Sequence, residues 1–457
     1  MKRKIYLMLS LLLSGIVITN AQVRIGGAVP PHPAALLDLN ADDSDVGNEH
    51  GALALPRVAL NSNAMKLNET TPKNGMLIYN TGTVLPMGVY VWINGKWIWV
   101  GHENVAPVIT VQPRAFNWKE TPGAGNLEGV GGQQDKLSIT ATGSNLTYQW
   151  YEISEGVSAE PVVVGTSSSN YVPDLSQVGM RSYYCVVSNS TGSVRSEVAR
   201  VAVGCGALTA NGSWRKFLCY NLGADNIPIA AQLAYPHNRH GGGAVGNDAS
   251  DKTVYGDLYQ WHRRKDGHEW PTSETATGPY KQENSVWQQV PEGNSLYGKF
   301  ITGGDSWYSP EESLPWQDRY GSHDPCSDQV DYDTYWRIPS QADWADIYDS
   351  GDAGGVPQSA TANKWEWRYF ETVLEPFGKS GGYLVKPDGV TTTLFLPGGG
   401  TRPPDGDHFS FMGEQGYYWS YTAYGKYARY FEINYNNITA SSFHPRSYGM
   451  SIRCIGE

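Results

Sequence analysis

Beyond residue 21 the sequence has no long apolar run and no sustained helical periodicity. No later segment can therefore cross a membrane as a helix, and short strands joined by turns are the better expectation. Basic residues are in the minority, 34 Lys and Arg against 45 Asp and Glu, for a formal net charge of −11. Nucleic acid is excluded as a partner on that ground, because phosphate binding needs a basic face. GxSxG, a P-loop, HExxH and a GxGxxG in strand–helix context are all missing. Cysteine is scarce: Cys185, Cys205, Cys219, Cys326 and Cys454 are all there is, and no CxxC occurs. A zinc-ribbon or thioredoxin-type reading has nothing to stand on. The number is odd, so at least one thiol is free or pairs with another chain.

What is present is aromatic. The chain holds 29 Tyr and 16 Trp, along with 52 Gly and 27 Pro. Its start, "MKRKIYLMLSLLLSGIVITNAQ", has a basic head, an apolar run from Ile5 to Ile18 and a small residue at Ala21. This reads as a secretory signal peptide over residues 1–21, with the mature chain beginning at Gln22. A membrane anchor is the alternative, but the run is shorter than the ~20 residues a span needs. No Cys lies near that point, so a lipid-anchored N-terminus is not expected. Export makes disulfides permissible.

Three segments follow. Residues 22–104 read as a small β-rich domain. Val89, Val91 and Ile93 alternate with Tyr90 and Trp92, "NG" at Asn94–Gly95 makes a turn, and Trp97 and Trp99 return. A small sheet packed on itself is the plain reading. "HPAALLDLN", "GALALPRVAL" and "NGMLIYNTGTVLPMGVYVWINGKWIWVG" resemble the N-terminal stretch of many exported Bacteroidota proteins, adhesins among them; the resemblance implies no activity. Residues 105–204 carry alternating strands in "APVITVQP", "KLSITATG", "LTYQWYEI" and "SYYCVVSNSTG". They resemble an immunoglobulin-like β-sandwich, with Trp150 as its core Trp and Tyr183 two residues before Cys185. Ile139 or a neighbour stands where the partner cysteine would be, so Cys185 is expected as a buried free thiol.

Residues 205–457 hold four of the cysteines, which allow three pairings. "SQADWADIYDSG" is the clearest helix, with Ser340 as N-cap, Trp344, Ile347 and Tyr348 on one face, and Gly351 as stop. A second short helix is expected in "ANKWEWRYFETVLEPFG", closed by Pro376 and Gly378. In order, the segment also carries "SWRKFLCYNLGAD", "GDLYQWHRRKDGHEW", "HDPC", "YWRIPSQADW", "FLPGGGTR", "GYYWSYT", "ARYFEINYNN" and "GMSIRCIGE". Together these resemble the Fibrobacter succinogenes major paralogous domain over nearly all of 205–457. The "SDQVDYDTY" insert between Cys326 and Trp336 departs from it. That family is distantly similar to sulfatase-modifying-factor domains, which implies a C-type-lectin-like α+β fold with long loops and chain ends tied together. The copper-binding cysteine pair of the formylglycine-generating members has no counterpart between Cys326 and Cys454, so that activity does not carry over. The family's shorter members keep the cysteines matching Cys326 and Cys454, which implies that these two pair. Cys205 and Cys219 would then pair across a hairpin turned at Asn211–Gly212.

In "GYYWSYTAYGKYARYFEINYNN" one face of each strand must be core, and Trp419, Phe431 and Ile433 read as that face. Tyr421, Tyr430 and Tyr435, with Asn434 and Asn436, remain as candidate ligand contacts. Rings stack on sugar C–H faces and amides bind hydroxyls, so the ligand class is a glycan, or else a surface protein. Ordinary β-surface is the plain alternative. His237 and His240 fall short of a metal set, which needs three or four ligands. Asp324, Asp328, Asp331 and Asp333 offer oxygen ligands of the kind calcium takes, yet match no EF-hand and read as a solvated loop. Glu366 and Glu371 are unmarked carboxylates. No catalytic residue, metal or cofactor is expected.

The expectation is a multidomain exported protein, secreted or at the cell surface or outer membrane, with the periplasm as the other location. A small β region and an immunoglobulin-like sandwich would serve as stalk and spacer for a C-type-lectin-like recognition head. The rivals are an enzyme acting on surface polysaccharide or an exported protein, and a structural envelope or fimbria-associated subunit.

Overall fold

The computed structural model describes residues 54–100, 105–127, 135–153, 160–235, 251–281, 289–309, 323–329, 335–348, 363–370, 380–406 and 408–457, and the backbone of two dipeptide strands at 23–24 and 37–38. The chain divides into two compact units, Met1–Asn104 and Val105–Glu457. Among the described residues no helix is long and apolar enough to cross a membrane.

In the first unit β1 (Arg57–Val58), β2 (Leu77–Asn80), β3 (Gly88–Ile93) and β4 (Lys96–Trp99) form one sheet in that order. β1 lies parallel to β2, and the other pairs are antiparallel. Asn94 and Gly95 both sit at positive φ, 47° and 83°. That is the conformation a two-residue hairpin loop demands, which is why "NG" stands there. Alternation sends Ile78, Tyr90, Trp92 and Trp97 to one face, where they pack with Leu60. Trp92 and Trp97 meet edge to face across the hairpin at 5.1 Å.

The second unit begins with a β-sandwich. Its strands are β5 (Val108–Val111), β6 (Phe116–Lys119), β7 (Leu137–Ser138), β8 (Thr140–Thr142), β9 (Thr147–Ile153), β10 (Val162–Val164), β11 (Asn170–Tyr171), β12 (Gly179–Asn189), β13 (Gly192–Arg195) and β14 (Ala199–Val203). One sheet runs β10–β9–β12–β14–β6, with β13 also on β12; β7 pairs β11, and β5 pairs β8. This is an immunoglobulin-like arrangement. Trp150 is fully buried opposite Cys185, and Ile139 fills the core where a bridging cysteine would stand. Cys185 is free and buried.

The rest is mostly strand. β15 (Gly206–Leu208) and β16 (Trp214–Phe217) open it, followed by α1 (Ile229–Ala234), β17 (Trp336–Arg337) and α2 (Gln341–Tyr348). Then come β18 (Lys364–Phe370), β19 (Ser380–Lys386), β20 (Leu394–Pro397), β21 (Gln415–Tyr424), β22 (Tyr427–Asn434), β23 (Asn437–Pro445) and β24 (Ile455–Gly456). One sheet runs β15–β16–β24–β17, so the start and end of the segment pair with each other. β18–β19–β20 and β21–β22–β23 are antiparallel meanders. With only α1 and α2 as α-helices among the described residues, the helical share is smaller than an α+β label leads one to expect.

α2 forms as its sequence predicts. The Asp343 N–H donates to Ser340 Oγ at 2.9 Å and the Ser340 N–H donates back to Asp343 Oδ2 at 2.8 Å, a reciprocal cap. The helix expected in "ANKWEWRYFETVLEPFG" is corrected: Lys364–Phe370 is the strand β18, paired residue for residue with β19. Three bulky aromatics at period two favour the pleated surface over a helix. Residues 371–379 lie outside the described residues.

The disulfides are Cys205–Cys219 and Cys326–Cys454, the pairs implied by the family resemblance. The sandwich and the segment after it share a core. Phe116, Trp118, Met180 and Ala202 pack in one cluster with Leu208, Trp214, Ile229, Phe370 and Phe395.

Candidate binding recess

The recess lies where the β21–β22–β23 meander meets β18. Gln415 pairs with Asn434 in register, and Asn434 with Asn437, so the turn between β22 and β23 projects beside the start of β21. The Asn436 N–H donates to Asn434 Oδ1 at 2.9 Å, which fixes that turn. β18 is anchored by Trp365, whose ring lies 6.0 Å from that of Phe431 in the core. Two residues on, the Trp367 indole lies over the backbone of β19. A Cβ at Gly381 would stand 2.4 Å from its ring, so glycine is needed there. Tyr369 then reaches Tyr435, with ring centroids 6.4 Å apart.

The resulting hollow has a volume of about 510 Å³. Trp367, Tyr369 and Tyr435 give it three rings; Gln415, Asn434, Asn436 and Asn437 give it amides; Glu414 adds a carboxylate. Tyr369 is 49% exposed and Tyr435 60%. Gln415 Oε1 is held by the Tyr417 hydroxyl at 2.5 Å. Burial, and then the neighbouring Tyr435, raise the Tyr369 phenol above its ordinary value, so it stays a neutral donor. Such a hollow presents flat apolar faces beside neutral hydrogen-bonding groups.

Of the five ligand contacts read from sequence, the structure gathers Asn434, Tyr435 and Asn436 here and leaves two elsewhere. Tyr430 is corrected: it is 5% exposed and belongs to the core. Its ring stacks on His444 at 5.1 Å and its hydroxyl donates to Glu432 Oε2 at 3.2 Å. The core face of β22 alternates with it only nominally, because both faces of that strand are covered: Phe431 on one side, Tyr417 and His444 on the other. Tyr421 is half-buried near the opposite end of the hairpin, under the Arg337 guanidinium. Trp367 and Tyr369 were missed because their stretch reads as a helix. The period-two spacing of Trp365, Trp367 and Tyr369 was the available signal.

The other candidates resolve otherwise. Asp324 is buried and accepts from the Cys326 and Ile338 N–H groups at 2.8 and 2.9 Å, so it positions a disulfide rather than lining a solvated loop. Burial pushes its carboxyl up to about 7 despite those bonds. Asp328 pairs with Arg264. Asp331, Asp333, His237, His240 and Glu371 lie outside the described residues. Glu366 meets Lys386 at 2.9 Å and Lys364 at 3.5 Å, and the Lys386 hydrogen bond keeps its carboxyl below the usual range. Asp266, His268 and Glu269 lie close enough to share an ion. However, His268 Nε2 accepts from the Gln260 N–H at 3.2 Å, which leaves Nδ1 to donate to Asp266 at 2.6 Å. Neither ring nitrogen keeps a lone pair for a metal.

Three of the family motifs supply buried arginines that act as interior latches away from the recess, whereas the end of "ARYFEINYNN" lines it. Arg453 of "SIRC" is fully buried and binds Asn221 Oδ1, Phe395 O and Leu218 O. Arg402 of "GGTR" donates to Ser273 Oγ at 2.7 Å and lies 4.2 Å over the Phe300 ring. Arg337 of "WRIP" joins Asp343 at 2.7 Å and also holds Glu457.

Residues 216–456 match the model of the Fibrobacter succinogenes major domain. Residues 24–112 match that of the phage tail like trimerisation region. No curated protein matches the chain. Among solved structures it is similar to Sidekick-1 immunoglobulin domains 1–5, with 14% identity and a TM-score of 0.16 over 25% of this chain and 24% of that one. The chain thus spans about a quarter of that structure.

Proposed function

The chain belongs to the Fibrobacter succinogenes major domain family, and from that premise we propose that it is an exported, adhesin-like binding protein whose C-terminal segment is a recognition head for glycans. The observation that carries the reading is the recess of three rings and four amides. Aromatic faces bind the C–H faces of sugars, and flanking amides bind their hydroxyls. The recess sits apart from the buried arginines that hold the head together, so its lining can vary without unfolding the domain.

A C-type-lectin-like head is supported by the pairing of β16 with β24, which joins the two ends of the segment. The Cys326–Cys454 bond ties the last strand to the start of the α2 region. Export is supported by the leader-like start of the sequence and by the two disulfides. The binding role is favoured over an enzyme's because Glu366, a carboxylate of β18, is engaged by two lysines.

A glycan array with the full chain tests the reading. Tyr435→Ala and Trp367→Ala should each weaken the best ligand by about 1–2 kcal/mol, roughly ten- to thirtyfold. Tyr435→Ala should leave the melting temperature close to the parent's. Unchanged affinity in both variants, or turnover of the bound glycan, would sink the proposal.

A second reading is favoured by the match over residues 24–112. The N-terminal region brings three chains together, so that one assembly presents three recesses.

A further inference from the structure

The N-terminal sheet is apolar on both faces, and among the described residues only one face has a core. Away from Trp92 and Trp97, β2, β3 and β4 set Leu77, Val91 and Ile98 in one cross-strand row, with Tyr79 beside Val89 in the next. Leu77 is 43% exposed and Ile98 46%. At one end of this face a hollow of about 480 Å³ opens beside Leu55, Met87 and Val89. An antiparallel sheet with a face in water ordinarily carries polar residues there. Here the charged side chains of the four strands are Arg57 and Lys96, one on each edge strand. Apolar centre and charged margin are the anatomy of a protein interface, not of a wetted surface.

We infer that three copies of this chain bury this face against one another, each turning its Leu77–Val91–Ile98 row toward a common threefold axis. The inference rests on the trimeric reading above and adds the surface that serves it. A second copy is the fitting occupant because the matched trimerisation region spans all four strands. The basic edges stay at the rim, where water screens like charges.

Light scattering on the full chain should give three times the chain mass. The double variant Val91→Lys, Ile98→Lys should give the mass of one chain, with the near-ultraviolet signal of Trp92 and Trp97 retained. If that variant does not fold, carbene footprinting of the unaltered trimer decides, since Leu77, Val91 and Ile98 should be shielded. A single-chain mass for the unaltered protein at all concentrations overturns the trimer and this face together. A trimer that survives both lysines, or one in which these side chains are labelled, overturns the face alone and leaves the trimer standing.

Discussion

Cys185 shows how a single residue's chemistry is set by its neighbours. It faces Trp150 across the β9–β12 pair, and burial pushes its thiol up to about 11. At pH 8 almost none of it is thiolate, and the thiolate is the reactive form. Iodoacetamide should therefore leave the folded chain unlabelled and add one group per chain after denaturation without reductant, as read by intact mass. Labelling of the native protein would overturn the assignment. Cys185→Ala should cost only about 1 kcal/mol, since a small hydrophobe is removed and no bridge is lost. Tyr430 and Tyr435 make the same point from the other side. They are five residues apart on one aromatic stretch, and only packing separates a core ring from a ligand ring.

At the scale of elements, long loops are held by arginines that donate to backbone carbonyls. Arg453 Nε and Nη2 donate to Asn221 Oδ1 at 2.9 and 2.7 Å, and Nη2 also donates to Phe395 O at 2.8 Å. Burial lowers its pKa to about 10, well above neutrality, so it stays charged. Arg453→Met would take its donors from two buried acceptors, Asn221 Oδ1 and Phe395 O, at about 1–3 kcal/mol each, and from the part-buried Leu218 O. Urea unfolding should show a loss of roughly 3 kcal/mol or more, and a loss under about 1 kcal/mol would mean the latch is dispensable. Local patterns made much of this architecture legible. The "NG" turn of the first hairpin, the Ser340 cap of α2 and the core role of Trp150 follow from short-range rules of turn, cap and alternation. The recess was only half legible. Asn434, Tyr435 and Asn436 share one turn and could be read together. Trp367 and Tyr369 come from β18, distant in sequence, and their meeting with Tyr435 depends on how two sheets pack. Tyr430 was misread because alternation identifies a covered face only when the opposite face is open to water.

For the whole second unit, the boundary near residue 204 is not a hinge. Trp118 is 3% exposed, donates its indole N–H to Gly204 O at 2.8 Å, and packs in the cluster that includes Trp214, Ile229 and Phe395. Glu120 Oε1 accepts from the Ile229 N–H at 2.7 Å, and Arg114 pairs with Asp388 at 3.2 Å. The sandwich is therefore part of the head's foundation, and a force or strain applied to one is borne by the other. Cooperative unfolding follows, because neither part can lose its core without exposing the shared cluster. Calorimetry of the full chain should show residues 105–457 melting in one transition. Trp118→Ala, in the sandwich, should lower it by about 3–5 kcal/mol. Leu137→Ala, in the sandwich's own core, and Trp344→Ala, in the head's, should lower that same transition. Should Leu137→Ala move one peak while Trp344→Ala moves another, the two parts unfold independently, and the shared cluster is a contact between separate domains.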